Sequence, residues 1–365
     1  RQSAFVIPQG VIMNSKQTMQ AAALYGKQDL RVGDTDVPQI AAGDILVQVK
    51  GAFVCGTDVR MYQNGFPGIS ETAPMILGHE GSGIVAQCGR DVKQLKEGMR
   101  VAVAPNVGCG ICDICVSGNT HLCSDFKAVG IQMPGFFAEY VKIPENFVRQ
   151  GNVVEIPESL SFEEAALAEP LACVFNAFEK SRMRPGETVL VIGAGPIGLM
   201  HAKMAQVAGV EKVIINDLSQ DRLDLCRQID ESFITLGSEN LKQQLDELTQ
   251  GRGVDVCITA CPAPQAQQIA LEIAAINGRI VFFGGLPAGK AKVSLDTNLI
   301  HYKQLVVTGT TRQSLSQYRR TLQLVACGRI DVKDLISSRT ALADIQKALD
   351  NISQARSLKS AIFFD

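Results

Sequence analysis

The sequence predicts an α/β protein in two parts, a β-rich, barrel-like part and a doubly wound parallel sheet. Three observations carry that prediction. Short Val/Ile runs broken by glycine crowd residues 19–150. Continuous apolar strands alternate with helical segments between residues 187 and 311. With 365 residues, 46% of them hydrophobic, the chain can bury more than one core.

In chain order, ILVQVKGAFV (45–54), GSGIVAQCG (81–89), GMRVAVAP (98–105) and FAEYVKIP (137–144) read as strands. Their regular spacing without a helical period suits a compact barrel. EEAALAEPLACVFNAFEKSR (163–182) reads as a helix. Ser161 is its expected N-cap and Glu164 the capping-box partner, while Pro170 predicts a kink or break. ETVLVIG (187–193) reads as a buried strand, with KVIIND (212–217), VDVCITAC (254–261), GRIVFFGG (278–285) and KQLVVTGTT (303–311) as the further strands of the series. PIGLMHAKMAQVAG (196–209), SQDRLDLCRQI (219–229) and APQAQQIALEIAAI (263–276) are the helices between them. Such alternation implies a parallel sheet covered on both faces. Helix LSQYRRTLQLVACG (315–328) and the strand-like AIFFD then return to the first part. The expected division is 19–173 with 313–365, and 174–312. Residues 1–18 read as an extension of unclear origin, with Met13 or Met19 as candidate initiators, and are kept out of the functional argument.

Composition excludes several classes. Thirty-five Lys and Arg against 37 Asp and Glu leave no basic excess for nucleic acid. No uncharged apolar run approaches the ~18–20 residues of a membrane span. The eleven cysteines are too sparse for a disulfide scaffold, yet four fall within residues 109–123. That clustering points to metal binding in a reducing, cytoplasmic compartment.

VLVIGAGPIGLMH places Gly193, Gly195 and Gly198 in a G-x-G-x-x-G turn. It follows a strand, opens a helix at Pro196 and Ile197, and precedes a strand ending in Asp217. This is the context a dinucleotide fingerprint requires. Gly193 would make the turn, Gly195 admit the pyrophosphate and Gly198 let helix and strand pack closely. Asp217 would hold the ribose hydroxyls and favour NAD; nearby Arg222 keeps NADP open. Cys109, Cys112, Cys115 and Cys123 form C-x2-C-x2-C-x7-C, suited to a closed structural zinc site, with an iron–sulfur cluster as the alternative. Cys55, His79, Glu80 and Glu169 together supply the Cys/His/carboxylate mix of a catalytic zinc, though each alone is a weak signal.

These motifs, taken together from about Met19 onward, resemble the zinc-dependent medium-chain dehydrogenases, most closely the polyol branch. The G-H-E-x2-G-x5-G-x2-V signature is carried by Gly78, His79, Glu80, Gly83, Gly89 and Val92. The polyol branch is indicated by Glu169 in E-P-L, where classical alcohol dehydrogenases have Cys. The resemblance implies a GroES-like catalytic domain and a Rossmann domain, two Zn2+ per subunit, NAD, and a homodimer or homotetramer. It implies Cys55 and His79 as direct zinc ligands, Glu80 and Glu169 as alternates, and Cys173 as an outside candidate. Thr57 would accept the substrate hydroxyl's proton, and Asp58 would be structural. Two departures stand out. Arg60 occupies the place of a relay histidine and would either contact an anionic substrate or pair with a carboxylate. Arg312 is the expected pocket arginine, but Gln313 replaces its usual Tyr partner, which argues against sorbitol itself. The expected activity is hydride transfer between NAD and a secondary alcohol of a polyol or related sugar. Threonine, a simple alcohol or a sugar phosphate are alternatives, as is a non-catalytic NAD-binding sensor.

Overall fold

The computed structural model describes residues 18–364, so the expected extension lies outside it apart from Thr18, which opens the first strand. The larger antiparallel sheet runs Val153–Glu155, Arg100–Val103, Glu80–Cys88, Ile45–Phe53, Lys359–Phe363, Ile336–Ala341, with Tyr140–Ile143 also paired to Ile45–Phe53. Only its last pair is parallel. The C-terminal strand therefore inserts beside Ile45–Phe53, as the returning tail predicts. A separate three-stranded sheet of Asp29–Asp36, Thr18–Gly26 and Met75–Ile76 packs against it through a shared apolar cluster that includes Leu24 and Val47. Asn106–Val107 pairs with Lys127–Ala128, closing the base of the cysteine-rich lobe.

This half also holds two helices that the sequence reading did not name. Gly56–Asn64 and Glu145–Gln150 are helical. The first buries only Asp58, Val59 and Met61, too few apolar positions for a period to show. The hairpin strand Asp29–Asp36 also escaped the sequence reading, because its nearly continuous exposure leaves no alternation.

The second sheet is six parallel strands in the order Ile234–Leu236, Lys212–Asn216, Thr188–Ile192, Val254–Thr259, Ala274–Phe282, Val306–Gly309. Every residue of Thr188–Ile192 is buried, which explains its unbroken apolar run. Chain order reverses beside this strand, and the crevice at its C-terminal end is where such sheets bind ligands.

Between the sheets, the 163–182 region forms two helices, Phe162–Ala166 and Ala168–Ser181. Ser161 Oγ accepts the Glu164 N–H at 3.1 Å and the Glu164 carboxylate accepts the Ser161 N–H at 3.1 Å, the expected capping box. The break falls at Leu167, three residues before Pro170. Proline has no N–H for the Ala166 carbonyl, so the helix restarts early and places Pro170 in its first turn, where none is due. The 173/174 division thus lies inside one continuous helix. A single apolar cluster containing Phe53, Leu167, Val174, Val191 and Tyr318 joins both sheets through that helix.

Candidate active site and metal centres

Cys55 is the N-cap of helix Gly56–Asn64, and His79 and Glu80 sit where Glu80–Cys88 begins. Asp58, fully buried, ties these turns together. Its Oδ2 accepts the Cys55 N–H at 2.8 Å, and its Oδ1 accepts the Gly78 N–H at 3.3 Å and lies 3.4 Å from His79 Nδ1. Nδ1 faces Asp58, which leaves Nε2 for a metal. Burial pushes the His79 imidazole down, but Asp58 and Cys55 more than reverse this and leave it raised. One ligand atom each from Cys55, His79 and Glu80 lie within 4.8 Å of one another. That is a donor set and spacing a zinc ion fits.

Lys359, which the sequence reading missed, comes in from the C-terminal strand. Its Nζ lies 2.7 Å from Glu80 Oε1 and 2.5 Å from Oε2, and donates to the Val54 carbonyl at 3.2 Å. Lys359 is 3% exposed and Glu80 0%. Burial lowers the Lys359 pKa, and Glu80 and Cys55 beside it outweigh that and raise it.

Glu169 is not in the three-residue cluster but feels His79 and Glu80 electrostatically. Burial pushes its carboxyl up to about 7. Gln313 Nε2 donates to Glu169 Oε1 at 3.0 Å. Cys173, also outside the cluster, donates to Gln313 Oε1 at 3.0 Å.

Both arginines singled out from the sequence have other partners. Arg60 donates to Thr57 Oγ1 at 2.9 Å and makes no carboxylate pair among the described residues. Arg312 is held by the cysteine lobe and makes no hydrogen bond to the cluster residues among the described residues. Its guanidinium stacks 4.0 Å from the Phe126 ring centroid and donates to the His121 carbonyl at 3.0 Å. A left-handed backbone (φ 55°) at Arg312 turns the chain there, so Gln313 meets Glu169 instead.

In the lobe, Cys109, Cys112, Cys115 and Cys123 converge. The Cys109–Cys115 and Cys112–Cys123 sulfur separations are 3.9 and 3.8 Å. A tetrahedron with ~2.3 Å zinc–sulfur bonds has ~3.8 Å edges, so the thiols fit zinc. Backbone N–H groups of Ile111 and Cys112 draw the Cys109 thiol down to about 6, while burial pushes Cys115 up to about 12.

At the glycine turn, Gly193 has φ 117°, and a Cβ on Gly198 would lie 1.7 Å from the Gly193 carbonyl oxygen. A Cβ on Gly195 would meet nothing within 4 Å, leaving backbone open to a pyrophosphate. Pro196 opens the helix at N1 and Ile197 follows, both half-buried. Asp217 accepts the Ala194 N–H at 2.7 Å and the Ser219 N–H at 2.9 Å, and Arg222 lies 3.7 Å from it. A cavity beside Asp217 is lined by Glu239, Asn240, Gln243 and Glu247.

Sequence comparison gives this geometry its relatives. The alcohol dehydrogenase GroES-like domain matches residues 41–158 and the zinc-binding dehydrogenase domain residues 196–327. Sorbitol dehydrogenase of Bacillus subtilis (strain 168) is 32% identical over 341 residues, 93% of this chain and 94% of that protein. The chain belongs to the zinc-containing alcohol dehydrogenase family. L-threonine 3-dehydrogenase of Escherichia coli (strain K12) is as similar, 32% over 346 residues, covering 94% of this chain and 98% of that one. A zinc-binding dehydrogenase of Sinorhizobium meliloti 1021, solved with NADP, superposes at a TM-score of 0.87 with 30% identity, covering 95% and 99% of the two chains. The family likeness supports the polyol branch and makes the chain an oxidoreductase with a small-molecule substrate. Among the described residues, no helix is long and apolar enough to cross a membrane.

Proposed function

We propose that this dehydrogenase oxidises a secondary alcohol of a polyol or related sugar with NAD, reversibly. The observation that carries the reading is the meeting of Cys55, His79 and Glu80 in one cluster, with the buried carboxyl of Glu169 held beside it. Cys55, His79 and Glu80 would hold the zinc directly, and Glu169 would face it without binding it at first hand. Zinc in such a site supplies a Lewis acid that polarises the alcohol oxygen. The four-Cys lobe would hold a second zinc with no open position.

Thr57 Oγ1 accepts from Arg60 and keeps a second lone pair to accept the substrate hydroxyl's hydrogen bond, its own O–H being free to pass a proton outward. Asp58 fixes the tautomer of His79 and the position of Cys55. The turn at Gly193, Gly195, Pro196, Ile197 and Gly198 would carry the cofactor's pyrophosphate on the helix N-terminus. NAD is favoured because the cavity wall beside Asp217 also holds Glu239 and Glu247, and a 2′-phosphate would sit among carboxylates. Arg222 is already beside Asp217. Two copies would pair through the edge strand Val306–Gly309, where Val306, Tyr302 and Ile276 are exposed. Cytoplasmic residence suits the free thiols of the lobe.

A second reading, oxidation of an amino-acid alcohol such as threonine, is favoured by Arg60, an exposed cation at Thr57. The two are separated by following cofactor reduction with polyols, polyol phosphates, threonine and simple alcohols, each with NAD and NADP. Turnover of polyols with NAD is expected. Exclusive turnover of threonine transfers the assignment to the second reading, and silence from zinc-loaded protein that binds NAD removes both.

A further inference from the structure

Gln313 joins elements that are far apart in sequence. It is 1% exposed, and both ends of its amide are used. Oε1 accepts from Cys173 Sγ and Nε2 donates to Glu169 Oε1, each at 3.0 Å. Only one amide orientation satisfies both. The flipped amide would set two oxygens 3.0 Å apart against Glu169 and offer a thiol an N–H2 it accepts poorly. Glu169 and Cys173 are four residues apart on helix Ala168–Ser181, hence on one face.

The loop carrying Gln313 is fixed on three sides. Asn176 Nδ2 donates to the Arg312 carbonyl at 2.9 Å. The Arg312 side chain is held by Phe126 and the His121 carbonyl of the cysteine lobe. Ser314 caps helix Leu315–Ala326. Gln313 is therefore presented to Glu169 by a rigid frame. One Glu169 oxygen is committed. The other takes no hydrogen bond from the described residues, and Glu169 keeps a small exposed area.

We propose that Gln313 is a positioning residue that sets selectivity for vicinal diols. It fixes Glu169 so that its free oxygen accepts a hydrogen bond from the hydroxyl next to the carbinol carbon. This rests on the secondary-alcohol reading above. A simple secondary alcohol has no such hydroxyl and gains nothing from the arrangement.

The test compares 2,3-butanediol with 2-butanol in the zinc-loaded enzyme, its Gln313→Met variant and its Cys173→Ala variant. Met keeps the length of Gln without its donor. Ala at 173 removes the donor to Gln313 Oε1, so the amide is held at its Glu169 end alone. For Gln313→Met, KM for the diol is expected to rise about tenfold or more, the worth of one hydrogen bond to a carboxylate. kcat should stay within about twofold, and kcat/KM for 2-butanol within about threefold. Cys173→Ala should move the diol KM the same way by less, and it carries the test should Gln313→Met not fold. Equal losses on both alcohols, or no change on either, overturn the proposal. Wild-type protein inert toward both removes the secondary-alcohol reading, and this inference with it.

Discussion

Replacing Lys359 by Met in the zinc-free protein should be among the most damaging single changes outside the apolar core. Lys359 Nζ contacts both oxygens of Glu80, and no other donor reaches that carboxylate among the described residues. Both groups are buried, so the variant strands a full negative charge in a low-dielectric site. Breaking such a pair from one side typically costs about 3–5 kcal/mol. For a chain of this size each kcal/mol shifts Tm by about 1.3 °C, so the loss should be about 4–7 °C.

Two further measurements separate this cause from lost packing. Zinc should reduce the loss, because Glu80 would then gain a second cation. The pair Lys359→Met with Glu80→Gln should lose less than Lys359→Met alone, because the stranded charge is gone. Thermal unfolding of the four proteins, with and without zinc, checks both. A zinc-free Lys359→Met variant within about 1 °C of wild type would refute the reasoning. So would a double variant showing the full sum of the single losses.

Other outcomes follow from individual contacts. Asp217→Ala should weaken NAD and relatively improve NADP, raising the NADP/NAD ratio of kcat/KM about tenfold or more, one removed charge contact being worth roughly 1.5–3 kcal/mol; an unchanged ratio means that Asp217 supports only the turn through Ala194 and Ser219. Chelating the lobe zinc should lower Tm, and Cys112→Ser should reproduce that loss while lowering zinc content from two per chain towards one by elemental analysis. His201, fully buried, is pushed down to about 3 by burial alone. It stays neutral in the native state while the unfolded chain takes up a proton below ~6.5, so stability falls as pH falls through that value, by up to about 2.7 kcal/mol at pH 4.5. His201→Leu should flatten that acid limb in urea titrations, and an unaltered slope would show that other groups set it.

What could be read from sequence divides along physical lines. The glycine turn, the four-Cys lobe and the capping box were legible because each is local: turn, ligand and cap residues lie within fifteen positions and impose their own geometry. The buried parallel strands were legible for a related reason, since burial on both faces leaves a continuous apolar run. The candidate active site was legible only as a set of residue types. Lys359 meets Glu80 across 279 residues. Nothing near it in sequence marks that partnership, because strand insertion beside Ile45–Phe53 is decided by the whole sheet. Arg312 and Gln313 show the same limit at closer range. The resemblance pointed to the arginine, as the expected pocket residue of the polyol branch. One left-handed backbone at Arg312 sends the guanidinium to the lobe and the neutral amide to Glu169. A φ angle held by the carbonyl contacts of Asn176 is a tertiary property, and it decides which of two adjacent side chains reaches the chemistry. Selectivity in this chain thus depends on how the lobe and helix Ala168–Ser181 together hold one loop, so that substitutions at Phe126 or Asn176, neither of them in the metal cluster, should act on the diol through Gln313.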